Sequence, residues 1–309
     1  MNSKYCNSLI LTVLTVLILT ISASDGDERP SFLDCVKNCV SKVCKLDKIL
    51  KLTGWNCSDD CKYRCMRLDV DDLRKTGDKI VQYYGKWPFI RILGAQEIFS
   101  VIFSFGNLLA CLYGYFFIYK KKSFDGSDGR ILYMKRVHLI GLLITCNAWL
   151  QSAIFHYRDT KITEKLDYFS ACLFILSTVP TAVIRIFELK TWKQQSKIVI
   201  PMTVLYLQHV VYMSFVQFDY GYNVKFNAVF GVGSNLLWMY WALWKQNNKK
   251  IRRETIKFVG FNVISMLMVA VDFPPWFDLI DMHALWHLST IPVTIMWYKF
   301  ISIDNDKNK

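Results

Sequence analysis

Seven apolar runs, at roughly residues 92–119, 137–156, 167–187, 198–218, 226–244, 256–273 and 283–301, govern what this chain can fold into. Each is close to the length that carries a helix across ~30 Å of hydrocarbon. In lipid, every backbone donor and acceptor has to be satisfied internally, and a helix does that within one segment. The expectation is an all-α membrane protein, a seven-transmembrane helix bundle over residues 92–301.

What precedes the bundle is of a different kind. Lys4 stands before a short apolar core, Ser8 to Ile21, and the small residues Ser22, Ala23 and Ser24 follow. That core is too short to span comfortably, so residues 1–24 read as a signal peptide cleaved near Ala23 or Ser24. Residues 25–91 form a polar segment holding Cys35, Cys39, Cys44, Cys57, Cys61 and Cys65. The four-residue steps place sulfurs on one face of two short helices, as a disulfide-stapled hairpin requires. Six cysteines allow 15 pairings, and the spacing does not choose among them. A zinc knuckle is the rival, weakened by the absence of any histidine in the segment. Asn56-Cys57-Ser58 is a glycosylation sequon at Asn56.

Lys and Arg number 38 against 25 Asp and Glu, a net charge of +13. These cations sit in short loops beside the apolar runs and form no contiguous basic domain, which excludes nucleic acid as the partner. The loops after the first, third and fifth runs are the crowded ones. By the positive-inside rule those loops are cytosolic, the N-terminus is lumenal, and a tail at 302–309 is cytosolic. Trp192, Trp238, Trp241, Trp244, Trp276, Trp286 and Trp297 lie near run ends, the expected place for an aromatic belt.

In that orientation Ser152 and His156 close the second run, Asp167 opens the third, and His283 and His287 open the seventh. All five reach the same leaflet depth. Polar side chains at such depth are costly and mark function by default. Ser152/His156 and His283/His287 are both i, i+4 pairs, each sharing one helix face. His156, His283 and His287 make a three-histidine zinc site with an open position for water. Asp167 can orient that water, take its proton or ligate the metal, and Ser152 can donate to the water or to a developing oxyanion. A serine-nucleophile triad of Ser152, His156 and Asp167 is the alternative, but it leaves the second histidine pair without a role. Glu97 reads as a neighbour of the ligands or a packing residue, His209 as a hydrogen-bonded structural residue, and Asn107, Arg185, Glu188 and Asn235 as links between helices.

The strings NAWLQSAIFHYRDTKITEKLDYFSA, GKWPFIRILGAQEIFSVIFSFGN, QFDYGYN and DFPPWFDLIDMHALWHLSTIP, with the cysteine-rich segment ending CKYRCM, together resemble the post-GPI attachment to proteins factor 3 family. The resemblance spans essentially the whole chain. It implies a superfamily of seven-helix membrane hydrolases that also holds alkaline ceramidases and adiponectin-type receptors. That superfamily's pattern of Ser-x-x-x-His, an Asp on the next helix, and His-x-x-x-His on the last falls on Ser152, His156, Asp167, His283 and His287. Leu150 and Gln151 depart from the bulkier aromatics expected there. The implied activity is zinc-dependent, phospholipase A2-type release of the sn-2 acyl chain from GPI-anchored proteins, in the Golgi or the endoplasmic reticulum. A ceramidase-like amidase, and a receptor or lipid-binding assembly factor with structural zinc, are the alternatives the same residues allow.

Overall fold

The computed structural model describes residues 24–41, 45–120, 129–269 and 271–305. The expected signal peptide falls almost wholly outside the described residues, as do Cys44 and residues 306–309. Secondary structure among the described residues is helical, with only isolated bridges of extended pairing.

Three helices build the N-terminal unit: α1 (Pro30–Val40), α2 (Lys48–Leu52) and α3 (Cys57–Thr76). Pro30 opens α1, where its fixed φ is already helical. Helix α3 has a complete set of end signals. Asn56 caps it by accepting from the Asp59 amide at 2.8 Å, Asp59 and Asp60 fill its first turn, Arg74 and Lys75 its last, and Gly77 closes it at φ 77°. Two disulfides, Cys35–Cys65 and Cys39–Cys61, join α1 to α3, and Cys57 is disulfide-bonded as well. The zinc-knuckle alternative therefore falls. Asn56 is exposed, but its side chain is engaged as the cap.

Phe32, Cys65, Val70 and Tyr83 form the small core beneath the staples. Asp69 lies against it and accepts from Ser31 Oγ (2.6 Å), Arg29 Nε (2.7 Å) and the Tyr83 hydroxyl (2.5 Å). Burial opposes ionisation of Asp69, yet these three donors prevail and hold its carboxyl below the ordinary carboxylate range.

Seven long helices follow, one for each apolar run: α4 (Ile98–Tyr113), α5 (Gly129–Tyr157), α6 (Lys161–Ile186), α7 (Trp192–Val211), α8 (Tyr220–Tyr240), α9 (Lys249–Met268) and α10 (Met282–Asp304). π-Helical segments extend α4 to Tyr119, α7 to Val216 and α8 to Lys245. Helices α6, α7 and α9 start earlier than hydropathy suggests, because their first turns are rich in Lys, Arg, Gln and Glu, and such residues form helix readily without being apolar. Helix α4 starts later. Residues 92–95 are spent on a tight turn in which Leu93 (φ 51°) and Gly94 (φ 86°) are left-handed.

Four of these helices are long and apolar enough to cross a membrane: Ile98–Tyr119, Leu132–Tyr157, Lys161–Ile186 and Trp192–Val216. The other three carry more polar surface. Helix α9 opens Lys-Lys-Ile-Arg-Arg-Glu, α8 bears Asn223, Asn227 and Asn235, and α10 bears His283 and His287.

Around the bundle α4 packs on α5, α5 on α6, α6 on α8, α8 on α9, α9 on α10 and α10 back on α4, a closed ring of six. Helix α7 packs outside it against α6. The α4–α10 seam is tight: a Cβ on Gly114 would lie 2.2 Å from Tyr298 Cδ2. At the end remote from the hairpin, Arg185 of α6 and Asp304 of α10 form a buried two-point ion pair, with Arg185 over the Trp241 ring. Arg185 is thus the inter-helix link the sequence suggested. The aromatic belt needs correction. Trp192, Trp244 and Trp276 are exposed, but Trp238 and Trp241 are core residues, and Trp297 packs edge-on against Trp238 in the same cluster.

Candidate metal centre

Two helices of the ring, α5 and α10, carry the histidines to one point. His156 lies in the last turn of α5. Asp281 caps α10 by accepting from the Ala284 amide at 2.8 Å, and this sets His283 and His287 in the first two turns of that helix. Helix α4 runs between them and supplies supporting hydroxyls. His283 Nε2 stands 3.3 Å from His156 Nε2 and 2.9 Å from His287 Nε2. All three ligand atoms fall within 4.8 Å of one another.

Second partners fix how these rings are turned. His156 Nδ1–H donates to Glu97 Oε2 at 2.7 Å, which leaves the Nε2 lone pair facing the other histidines. His287 Nδ1 pairs with Ser104 Oγ at 3.0 Å, and Ser104 in turn with Ser152 Oγ at 3.2 Å. Asn107 donates to the His287 carbonyl at 2.7 Å, pinning that turn of α10 to α4. Glu97 also accepts from Lys86 Nζ at 2.8 Å, and Lys86 reaches Asp159 at 3.0 Å.

The geometry suits a metal ion. Two ring nitrogens at 2.9 Å, with the Nδ1 of His287 already paired to Ser104, have no better partner for converging lone pairs than a cation. Tetrahedral zinc with nitrogen ligands at ~2.0–2.1 Å separates them by about 3.3 Å, close to the spacing of this trio. The carboxylate–histidine pairing at Glu97 is the kind of support that orients metal-bound histidines. Trp149, Phe155 and Trp286 pack their rings against the trio.

All five residues picked from the sequence lie at this end of the bundle, in differing relation to the trio. Asp167 falls in the second turn of α6, since that helix begins at Lys161. It is within electrostatic range of His156, Lys86 and Glu97 but contributes no ligand atom to the trio. Ser152 is buried and pairs with Ser104 rather than His156, so a nucleophile–base hydrogen bond is not formed. Glu97 is confirmed as a direct neighbour of a candidate ligand. Lys86, Ser104 and Asp159 went unread; the only signal for Lys86 was its place in GKWP, eleven residues before Glu97. His209 pairs with Asn223 at 3.2 Å, the structural role expected of it.

Fold and site together define a helical membrane protein with a cluster of three histidines at one end of its ring whose geometry could hold a metal ion. The Per1-like family model matches residues 48–305. A protein named GPI-specific phospholipase A2-like PGAP3 from Danio rerio is 37% identical over 298 residues, covering 92% of this chain and 91% of that protein. The Homo sapiens protein of the same name is 34% identical, covering 96% and 93%. The Protein PER1 homolog of Schizosaccharomyces pombe is 37% identical, covering 96% and 92%. The chain belongs to the Per1-like family. No solved structure matches it.

Proposed function

We propose that this protein remodels the lipid of GPI-anchored proteins as a zinc-dependent hydrolase of the sn-2 acyl ester. The observation that carries the reading is the convergence of His156, His283 and His287 with Nε2 atoms 2.9 and 3.3 Å apart beside a supporting Glu97. The names of its relatives supply the substrate class.

His156, His283 and His287 hold the ion. A zinc ion so held supplies Lewis-acid polarisation of an ester carbonyl and acidification of a water. Asp167, outside the ligand set, serves as the base that orients water and accepts its proton. Ser152 donates to the oxyanion as charge develops on the carbonyl oxygen, with Ser104 behind it. All seven helices span the bilayer, with the N-terminal hairpin lumenal and the C-terminus cytosolic. The Lys- and Arg-rich loops at the Arg185–Asp304 end support that orientation, which puts the trio in the lumenal leaflet of a Golgi or endoplasmic reticulum membrane.

The test is zinc content of the purified protein beside a His283→Ala/His287→Ala variant, with lyso-GPI production measured on the same samples. Stoichiometric zinc lost together with activity is the expected result. Zinc without acyl release from any GPI substrate favours a receptor or assembly factor. Activity without zinc overturns the metal mechanism and returns Ser152 to the role of nucleophile.

A further inference from the structure

Helix α3 of the disulfide-stapled hairpin reaches the segments on both sides of the histidine trio through ion pairs. At its N-terminal end Asp60 accepts from Arg91 Nη2 at 2.5 Å, and Asp59 pairs with Arg158, two residues beyond His156. The Trp55 ring fills the space between these arginines, 4.3 Å from the Arg91 guanidinium and 4.2 Å from that of Arg158. Trp55 Nε1 donates to the Gly94 carbonyl at 3.0 Å, in the turn that leads to Glu97. At the other end of α3, Arg67 and Arg74 both donate to Asp278, at 2.8 and 2.5 Å. Asp278 belongs to the turn that delivers Asp281 and the two histidines of α10. It and Phe277 are left-handed at φ 58° and 56°, and its carbonyl accepts from the Ile90 amide at 2.9 Å. A turn with two successive non-glycine residues in that region holds only when its surroundings fix it.

We infer that α3 is a splint for the metal centre: it sets the separation between His156 and the His283/His287 pair, with Asp59 and Arg67/Arg74 as its two grips. The inference rests on the reading of the trio as a metal site. A rigid rod is needed for this task, and the rod is rigid because Cys61 and Cys65 tether it to α1. Arg67, Arg74, Asp278, Asp59 and Arg158 are positioning residues, acting through the backbone turns that bear the ligands.

The experiment uses the full chain in detergent and two readouts: zinc affinity by chelator competition, and amide hydrogen exchange over 152–158 and 281–288. In Arg67→Ala/Arg74→Ala, zinc affinity falls at least tenfold, as displaced ligand support commonly costs, and exchange over 281–288 quickens. The charge exchange Arg67→Glu/Arg74→Glu/Asp278→Arg restores both. Val70→Ala, which weakens the hairpin core without touching a grip, lowers the unfolding temperature and leaves zinc affinity within twofold. Unchanged affinity in the double alanine variant overturns the inference, as does an equal loss in Val70→Ala. If the wild-type protein binds no zinc, the metal reading alone fails, and exchange decides the splint: quickening in the alanine variant that the charge exchange reverses upholds it, and anything else overturns it.

Discussion

Replacing Glu97 with glutamine isolates what a single support contributes to the metal centre. The carboxylate accepts from His156 Nδ1 at 2.7 Å and from Lys86 Nζ at 2.8 Å, one oxygen to each. Glutamine keeps the volume but offers one acceptor oxygen. With that oxygen turned to His156, its amide hydrogens face the Lys86 ammonium; turned to Lys86, they face the imidazole Nδ1–H. Lys86 retains Asp159 at 3.0 Å in either case, so the ammonium is not stranded. The net loss is about one charge-assisted hydrogen bond, ~1.5–3 kcal/mol, equivalent to a roughly ten- to hundredfold weaker zinc affinity. Mutation of residues behind metal ligands costs a similar factor in general. Chelator competition on the purified variant measures it, and Glu97→Asp, which keeps the charge but shortens the reach by one methylene, should fall between. Affinity within twofold of wild type in Glu97→Gln would refute the idea that the Glu97 carboxylate, bonded to both His156 and Lys86, supports the trio.

Two further outcomes are expected. Gly114→Ala drives a Cβ to 2.2 Å from Tyr298 and overpacks the α4–α10 seam by ~1–3 kcal/mol, whereas Gly141→Ala meets nothing within 4 Å and stays near neutral; the paired unfolding temperatures in detergent check this. Asp69 carries a depressed pKa in the folded hairpin, so its contribution is complete above the unfolded carboxylate value, near 3.8, and is lost as pH falls through the folded value. Stability followed from pH 5 down to pH 2 should therefore decline less steeply in Asp69→Asn than in wild type.

The histidine trio was legible in the sequence because two i, i+4 pairs and one topological argument fixed its depth. Helical geometry is periodic and membranes impose register, and both leave marks in one dimension. The remaining ligand supports leave none. Arg67 and Asp278 are 211 residues apart, and nothing in the neighbourhood of either announces the other. Lys86 read as one more charge in a polar segment, and Ser104 as one small residue among the Phe and Ser of α4. Asp167 opens an apolar run yet lies in the second turn of its helix, since Lys161, Glu164 and Lys165 interrupt hydropathy without ending a helix. The three less apolar helices show the same limit from the other side. Several of their polar residues face partners in the ring, as in Asn262 donating to Asn235 at 3.0 Å, and a hydropathy window counts them as if they faced lipid.

The order of the chain also gives the hairpin a history during synthesis. Its disulfides close over 30 and 22 residues, within a short stretch of emerging polypeptide. Its arginines then wait for Asp278. At roughly 5–20 residues per second, the intervening 211 residues take about ten to forty seconds to make. For that interval Arg67 and Arg74 stand without the carboxylate they share in the finished fold, beside a half-assembled ring. Arrival of the last turn supplies Asp278 and brings His283 and His287 to His156 in one step.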